Sequence, residues 1–414
     1  MAILACSEAT PPRRTPGAKI SGTARSPRRR SHARAPVARR ARARGVEHRL
    51  LGDALVRRQL EILDPFAASA RAETIWRDLE RGAQPTYFLT WGWIENWLAM
   101  LPRDETPALA VIREAGEPTG AFFLGRRRLL RHRVLPSRAA FVNATGVTSH
   151  DELCIEHNGV LGRGCSLAGL IELLPDDWDE LFLPGVDRDA FGELAVPRGY
   201  RVRVTRASPS PFVDLGLVRA SGDYLTVLSG NTRAQIRRAR RRVGACELDV
   251  AASVGEALAI YGELVALHAA SWRERGEPGA FADPWFDRFH RRLIEQRFPH
   301  GEIQLVRLRS GPVTIGCLYN LVASGRVLFY QSGLAAFADP VIKPGMMCHA
   351  AAIAHNADAG HEIYDLLGGS RRYKTSLATD ATQLAWLCVQ RTRLRFAIED
   401  RVRVWKHTLA AAFA

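Results

Sequence analysis

Apolar residues recur along this chain at two spacings, and the alternation between them predicts the order of elements. From about Val46 to Glu80 they fall at three- and four-residue steps, which predicts helix with a break at Pro65. Residues 87–101 predict a second helix, capped by Thr90 and carrying Trp93, Trp97 and Met100 on one face. Such an aromatic stripe reads first as core and second as a ligand platform. Residues 107–114 and 120–130 read as two strands joined by a hairpin-like connector. Strand-like runs recur at 153–157, 180–186 and 200–206, with helical runs at 166–174 and 189–196 between them. The expected fold class is α/β (α+β), built on a mixed sheet.

A second block opens near Tyr224. Ser229 or Asn231 can cap a helix that Gly244 ends, and this helix carries six arginines over an apolar edge of Ile236, Ala239 and Val243. Two readings stand: a solvated charged face, or a cationic helix beside an anionic ligand or carrier. A strand near 245–253, a long amphipathic helix and a helix over 281–297 follow. Three successive strands come next, with Ser-Gly turns at 310–311 and 324–325. A helix from Met346 to about Asp358 then separates the third strand from a strand over 362–367, which predicts a parallel crossover. A meander feeding one parallel crossover leaves a splayed gap in a sheet, and such a gap is a natural cofactor slot. One more strand and a final helix complete the pattern.

Composition changes this picture in three places. The net charge is +15, but residues 1–45 supply +11 of it through eleven Arg and one Lys against one Glu. That segment reads as a disordered leader, or as sequence upstream of the true start; a phosphate-binding arm is the sharper alternative. Without it the chain is only mildly basic, which argues against nucleic acid as a partner of the folded part. Seven scattered cysteines without CxxC spacing predict reduced thiols, and His349 and His355 stand at the wrong step for one metal-binding helix face. No metal is expected. No apolar run reaches the ~20 residues of a membrane span, and the expected location is cytoplasmic. Finally, only four of the 58 cations are lysines, and two of these, Lys343 and Lys374, fall in one stretch, residues 326–377. A position that remains Lys in an arginine-rich chain points to a need for a compact ammonium.

The order of the second block is that of the GNAT acyltransferase superfamily. The chain more specifically resembles the CelD/BcsL-type acetyltransferases, relatives of the FemABX peptidyltransferases. Three stretches carry the likeness: Asn231 to Gly244; Leu267-His268 with Ser271-Trp272; and Pro344-Gly345, Ala354, Gly360, Tyr364 to Gly369 and Tyr373-Lys374. The resemblance implies two GNAT-like lobes, each a mixed, mostly antiparallel sheet flanked by helices, over residues 46–228 and 229–414. It implies transfer of an acyl group from acetyl-CoA or another acyl-CoA to an amine of a small molecule or a sugar or polysaccharide precursor. Polysaccharide-synthesis proteins are the implied protein partners. The alternatives are a FemABX-like aminoacyl transferase, a non-catalytic scaffold in polysaccharide synthesis, and a nucleic-acid binder acting through the leader.

The candidate residues follow from this likeness and from their chemistry. Lys374 is expected to stabilise charge near the donor. Asp365, at the carboxyl end of a strand, is expected to orient the amine or act as base. His268 is a second base and Tyr373 a general acid. Lys343, Gly345, Met346 and Met347 are expected to cradle the donor phosphates at a helix N-terminus, although one glycine and a proline replace the two glycines of the usual GNAT loop. Trp272 and Arg237 are the substrate-side candidates.

Overall fold

The computed structural model describes residues 58–131, 135–153, 155–163, 165–189, 194–399 and 401. The leader, residues 190–193 of the helix expected over 189–196, and the end of the final helix lie outside the described residues.

The first half of the chain supplies β1 (Gln59–Leu63), β2 (Ala108–Glu114), β3 (Glu117–Arg131), β4 (Leu135–Val142), β5 (Leu161–Gly162), β6 (Glu180–Asp187) and β7 (Tyr200–Asp214). The second half supplies β8 (Glu247–Val250), β9 (Ile303–Ser310), β10 (Val313–Ala323), β11 (Arg326–Leu334), β12 (Ile363–Asp365) and β13 (Asp380–Arg391). All join one mixed sheet in the order β1-β2-β3-β4-β6-β13-β7-β12-β11-β10-β9-β8, with β5 beside β3. Helices flank it, as expected for the α/β class.

The two halves repeat one plan. In each, an antiparallel meander (β2-β3-β4, then β9-β10-β11) leads to a parallel partner, β6 beside β4 and β12 beside β11. The last strands are exchanged. β13 from the second half pairs with β6 along one edge, and β7 from the first half pairs with β12. β7 and β13 meet each other over almost their whole length.

Two expectations need correction. Residues 59–63, read as part of a helix, form edge strand β1 against β2; the helix begins only at Ser69. In QLEIL the spacing of Leu60, Ile62 and Leu63 satisfies either period, and so short a run does not separate them. Of residues 153–157, read as a strand, residues 155–157 belong to a connecting segment that passes over β6. It passes so closely that a Cβ on Gly185, at φ +62°, would stand 2.4 Å from the Ile155 carbonyl oxygen.

That crossing segment fills the opening beyond the β4–β6 pair. Asn158 accepts from the Asn143 side chain at 2.7 Å and donates to the carbonyls of Val142 and Pro184, both at 3.0 Å. In the second half, β11 and β12 pair only from Arg326–Ile363 to Leu328–Asp365 and then separate. Here the opening stays empty of backbone, and it is the gap that the meander-plus-crossover order predicts.

The aromatic stripe is core. Trp93 lies edge-on to Phe88 and Phe289, each 5.0 Å away, so the Trp91–Met100 helix packs onto the Pro284–Arg297 helix of the second half. Thr90 caps the first of these and Ser229 caps the arginine-rich helix Gly230–Val243.

Asn158→Ala is expected to lower unfolding free energy by roughly 3 kcal/mol in urea denaturation, because it strands several buried backbone groups at once. A change of a few tenths would show that water takes the place of the side chain.

Candidate active site

The gap between β11 and β12 opens into a cavity of about 580 Å³. Its floor is the part of β11 beyond the pairing, Phe329 to Ser332 with Leu334, and the turn Leu367-Gly368 after β12. One end is the start of the Pro344–Asp358 helix, the other the loop between the Val254–Arg273 and Pro284–Arg297 helices.

The Pro344 helix begins without a side-chain cap. Its first bonded amide is Met347, whose N–H reaches the Lys343 carbonyl at 3.0 Å. The N–H groups of Gly345 and Met346 therefore precede the intrahelical ladder and lie where the helix dipole favours an anion. Lys343, Pro344, Gly345 and Met346 line the cavity. Met347 is buried below them.

Lys374 is 3% exposed. Its ammonium donates to the carbonyls of Gly368 at 2.7 Å and Leu367 at 3.2 Å. Beside it stands Glu156, which accepts from the Gly368 N–H. Burial raises the Glu156 carboxyl, and the Lys374 charge pulls it back down. The Leu367 backbone is left-handed at φ +56°, and a Cβ on Gly368 would meet a Glu156 carboxylate oxygen at 2.6 Å. The two glycines after Leu367 thus let one turn wrap around a lysine on one side and a glutamate on the other.

Asp365 lies behind this turn, fully buried. Its carboxylate accepts from Arg326 Nη1 at 2.7 Å, Ser210 Oγ at 3.0 Å and the Leu367 N–H at 2.8 Å, and His157 Nε2 stands 3.1 Å away as an ion-pair partner. Burial alone would raise its pKa. The charges of His157 and Arg326 and these bonds outweigh it and hold the value at about 2. Asp365 does not line the cavity.

His268 and Trp272 project from the Val254–Arg273 helix into the opposite wall. The His268 Nδ1 lies 3.1 Å from the Ser332 carbonyl oxygen, so that nitrogen carries the proton and Nε2 keeps its lone pair. Nε2 is buried without a hydrogen-bond partner. Burial lowers the ring's pKa and keeps it neutral. Tyr373 lies beside His349 at a ring distance of 5.9 Å, and burial pushes its phenol up to about 12. His349, held down to about 3 by burial and by Lys374, contributes a second neutral imidazole to the lining.

The cavity therefore collects Lys374, Tyr373, His268, Trp272, Lys343, Gly345 and Met346 from residues more than a hundred positions apart. It does not take in Arg237, which is exposed on the arginine-rich helix. Sequence reasoning missed Glu152, Glu156, His349 and Arg371. Glu156 had a signal: next to His157 in a strand it would point one of two charged groups into the core. Among the described residues no group of three His, Cys, Asp or Glu is placed to hold a metal ion. No helix among them is long and apolar enough to cross a membrane.

Residues 230–375 match the family model of the acetyltransferase (GNAT) domain. No curated protein matches the chain. Among solved structures it is similar to FemX, with 9% identity over 76% of this chain and 95% of that one and a TM-score of 0.51. It also aligns with the C-terminal domain of a putative lysylphosphatidylglycerol synthetase from Agrobacterium fabrum, at 12% identity, 82% and 96% coverage and TM-score 0.46. A tandem GNAT protein from the clavulanic acid biosynthesis pathway aligns at 11% identity, 81% and 98% coverage and TM-score 0.42. At such identities the likeness to FemX speaks to the fold alone.

The depressed pKa of Asp365 makes stability pH-dependent on the acid side. The native state holds its proton less tightly than the unfolded chain, whose Asp titrates near 3.9. The contribution is complete above that value and is lost as pH falls toward about 2. Urea denaturation from pH 6 to pH 3 should show Asp365→Asn less stable at the upper end and with a shallower acid-side slope than wild type. Equal slopes would remove Asp365 from the titration.

Proposed function

We propose that this chain, whose residues 230–375 carry a GNAT-type acetyltransferase domain, is an N-acyltransferase. It moves an acetyl or other acyl group from acyl-CoA to an amine of a small molecule or a sugar or polysaccharide precursor. The observation that carries the reading is the fork of β11 and β12, which opens beside an uncapped helix N-terminus. The residues present fit the donor in one respect: Lys343 and the N–H groups of Gly345 and Met346 offer a positive cradle at the cavity edge. Met347, with its N–H already bonded, has no part in it.

The donor thioester supplies an activated carbonyl. The chain's own residues do the rest. His268 Nε2, neutral and partnerless, takes the proton that the attacking amine sheds as its C–N bond forms. Tyr373 stays protonated across the neutral range and gives a proton to the departing sulfur as the C–S bond breaks. The proton on His268 leaves to solvent and Tyr373 recovers its own from solvent, so the step balances. Lys374 fixes the Leu367-Gly368 turn and places one positive charge at the closed end of the fork, where charge builds on the carbonyl oxygen. Asp365, held by three hydrogen-bond donors and paired with His157, holds the fork and does not exchange protons in this scheme. Trp272 forms a wall of the acceptor side, and Arg237, away from the cavity, takes no part.

Lys374→Ala should cut turnover by well over roughly tenfold in a thiol-release assay with acetyl-CoA, with the protein still folded by circular dichroism. Unchanged turnover would remove the assigned role. His268→Gln should lower kcat by on the order of a hundredfold while the thermal shift by acetyl-CoA persists. Because the ring's pKa is lowered, the acid limb of wild-type kcat/KM should fall below the ordinary histidine value of about 6.5. An aminoacyl donor is the second reading, favoured by the single glycine in the cradle; failure of acetyl-CoA to stabilise the protein would point to it.

A further inference from the structure

The cavity is electrically two-sided. Lys343 and Arg371 stand at the donor end, with Lys374 at the closed end. At the other end Glu152, Glu277 and Asp283 line the wall, on two segments far apart in sequence. Glu156 is matched by Lys374, so it does not add to this acidity. Arg275 opposes it in part, but its guanidinium lies over Trp272 at 5.4 Å and donates to Ser271 Oγ. Asp283 uses one carboxylate oxygen to cap the Pro284–Arg297 helix through the Trp285 N–H. Burial, and then the charge of Asp283, raise the Glu152 carboxyl, which means the two carboxylates feel each other. Like charges facing one space are stabilised by a cation between them.

Two further observations point to a ligand. His268, 7% exposed, lines the same cavity, and its buried Nε2 has no hydrogen-bond partner. Gly279 packs close to that nitrogen, where a Cβ would stand 3.1 Å away. The surfaces between are aromatic: Trp272, Phe286 and Tyr330 all line the space.

We infer that the acceptor enters as an ammonium ion on a body with an apolar or aromatic face and no carboxylate of its own, its charge held by Glu152 and Asp283 and its body against Trp272 and Phe286. The inference rests on the acyltransferase reading and narrows it. A free α-amino acid is disfavoured, because its carboxylate would enter the acidic end beside its amine. The same wall that attracts the ammonium ion holds its nitrogen near His268; the proton that must leave before attack passes to solvent, and His268 takes the second one as the C–N bond forms.

The test is calorimetric titration of the full chain with three probes of one shape: benzylamine, benzyl alcohol and benzoate. Benzylamine should bind about tenfold or more tightly than benzyl alcohol and be weakened by added salt, whereas any benzoate binding, at the cationic donor end, should be unaffected by loss of Glu152 or Asp283. Glu152→Gln and Asp283→Asn, the second retaining a capping side chain, should each weaken benzylamine roughly fivefold or more and leave benzyl alcohol unchanged. Equal binding of the three probes, no benzylamine binding at millimolar concentration, or full benzylamine affinity in the double variant would each overturn the inference. The acyltransferase reading fails by a different sign: no stabilisation by acetyl-CoA and no thiol release while benzylamine still binds.

Discussion

The fork depends on one buried carboxylate. β11 and β12 are parallel for only three residue pairs, too few to fix where two strands should part. Asp365, the last paired residue of β12, binds β11 through Arg326, β7 through Ser210, the crossing segment through His157 and its own turn through the Leu367 amide. Removing a partner from such a cluster leaves a charge in the interior, at a cost of about 3–5 kcal/mol. The strands must therefore separate at that point, and the cavity keeps its shape. The turn that follows is pinned a second time by Lys374 and Glu156. A rigid frame of this sort lets a neutral group such as His268, anchored through Nδ1 to the Ser332 carbonyl, keep its other nitrogen unbonded.

The two halves of the chain share a plan and use it differently. Beyond β4 and β6 the opening is closed by the Asn143–Asn158 bond and the approach of residues 155–158 across Gly185. That same segment carries Glu156 and His157 to the other half, where, with Glu152 just before it, they complete the cavity and its charge network. One connection thus fills one gap and furnishes the other.

Much of the second half was legible from the chain. Capping residues, glycine turns and long periodic runs are local signals, and they mark Gly230–Val243, Val254–Arg273 and β9 to β12 closely. Lys374, Tyr373, His268 and the Lys343–Met346 turn could be gathered because each follows directly on such an element. The rest was not local. Residues 59–63 satisfy both periods, and only the edge of β2 decides between them. Residues 153–157 alternate like a strand, yet Asn158 and Gly185 take residues 155–157 over the sheet. That Glu156 would face Lys374, 218 positions later, is a consequence of sheet order, which no window of sequence contains.

The exchange of β7 and β13 has a consequence for how the protein is made. As the chain leaves the ribosome, β6 and β7 appear early, but the strand that belongs between them is finished only at Arg391. Until then each presents an open row of backbone donors and acceptors of the kind that recruits other chains. β12, meanwhile, can already take its place beside β7 once residue 365 is out. The cavity can thus be framed before the sheet that supports it is closed. Contacts as distant as those joining β6 to β13 form slowly, so the sheet's centre stays open until the end of the chain reaches it.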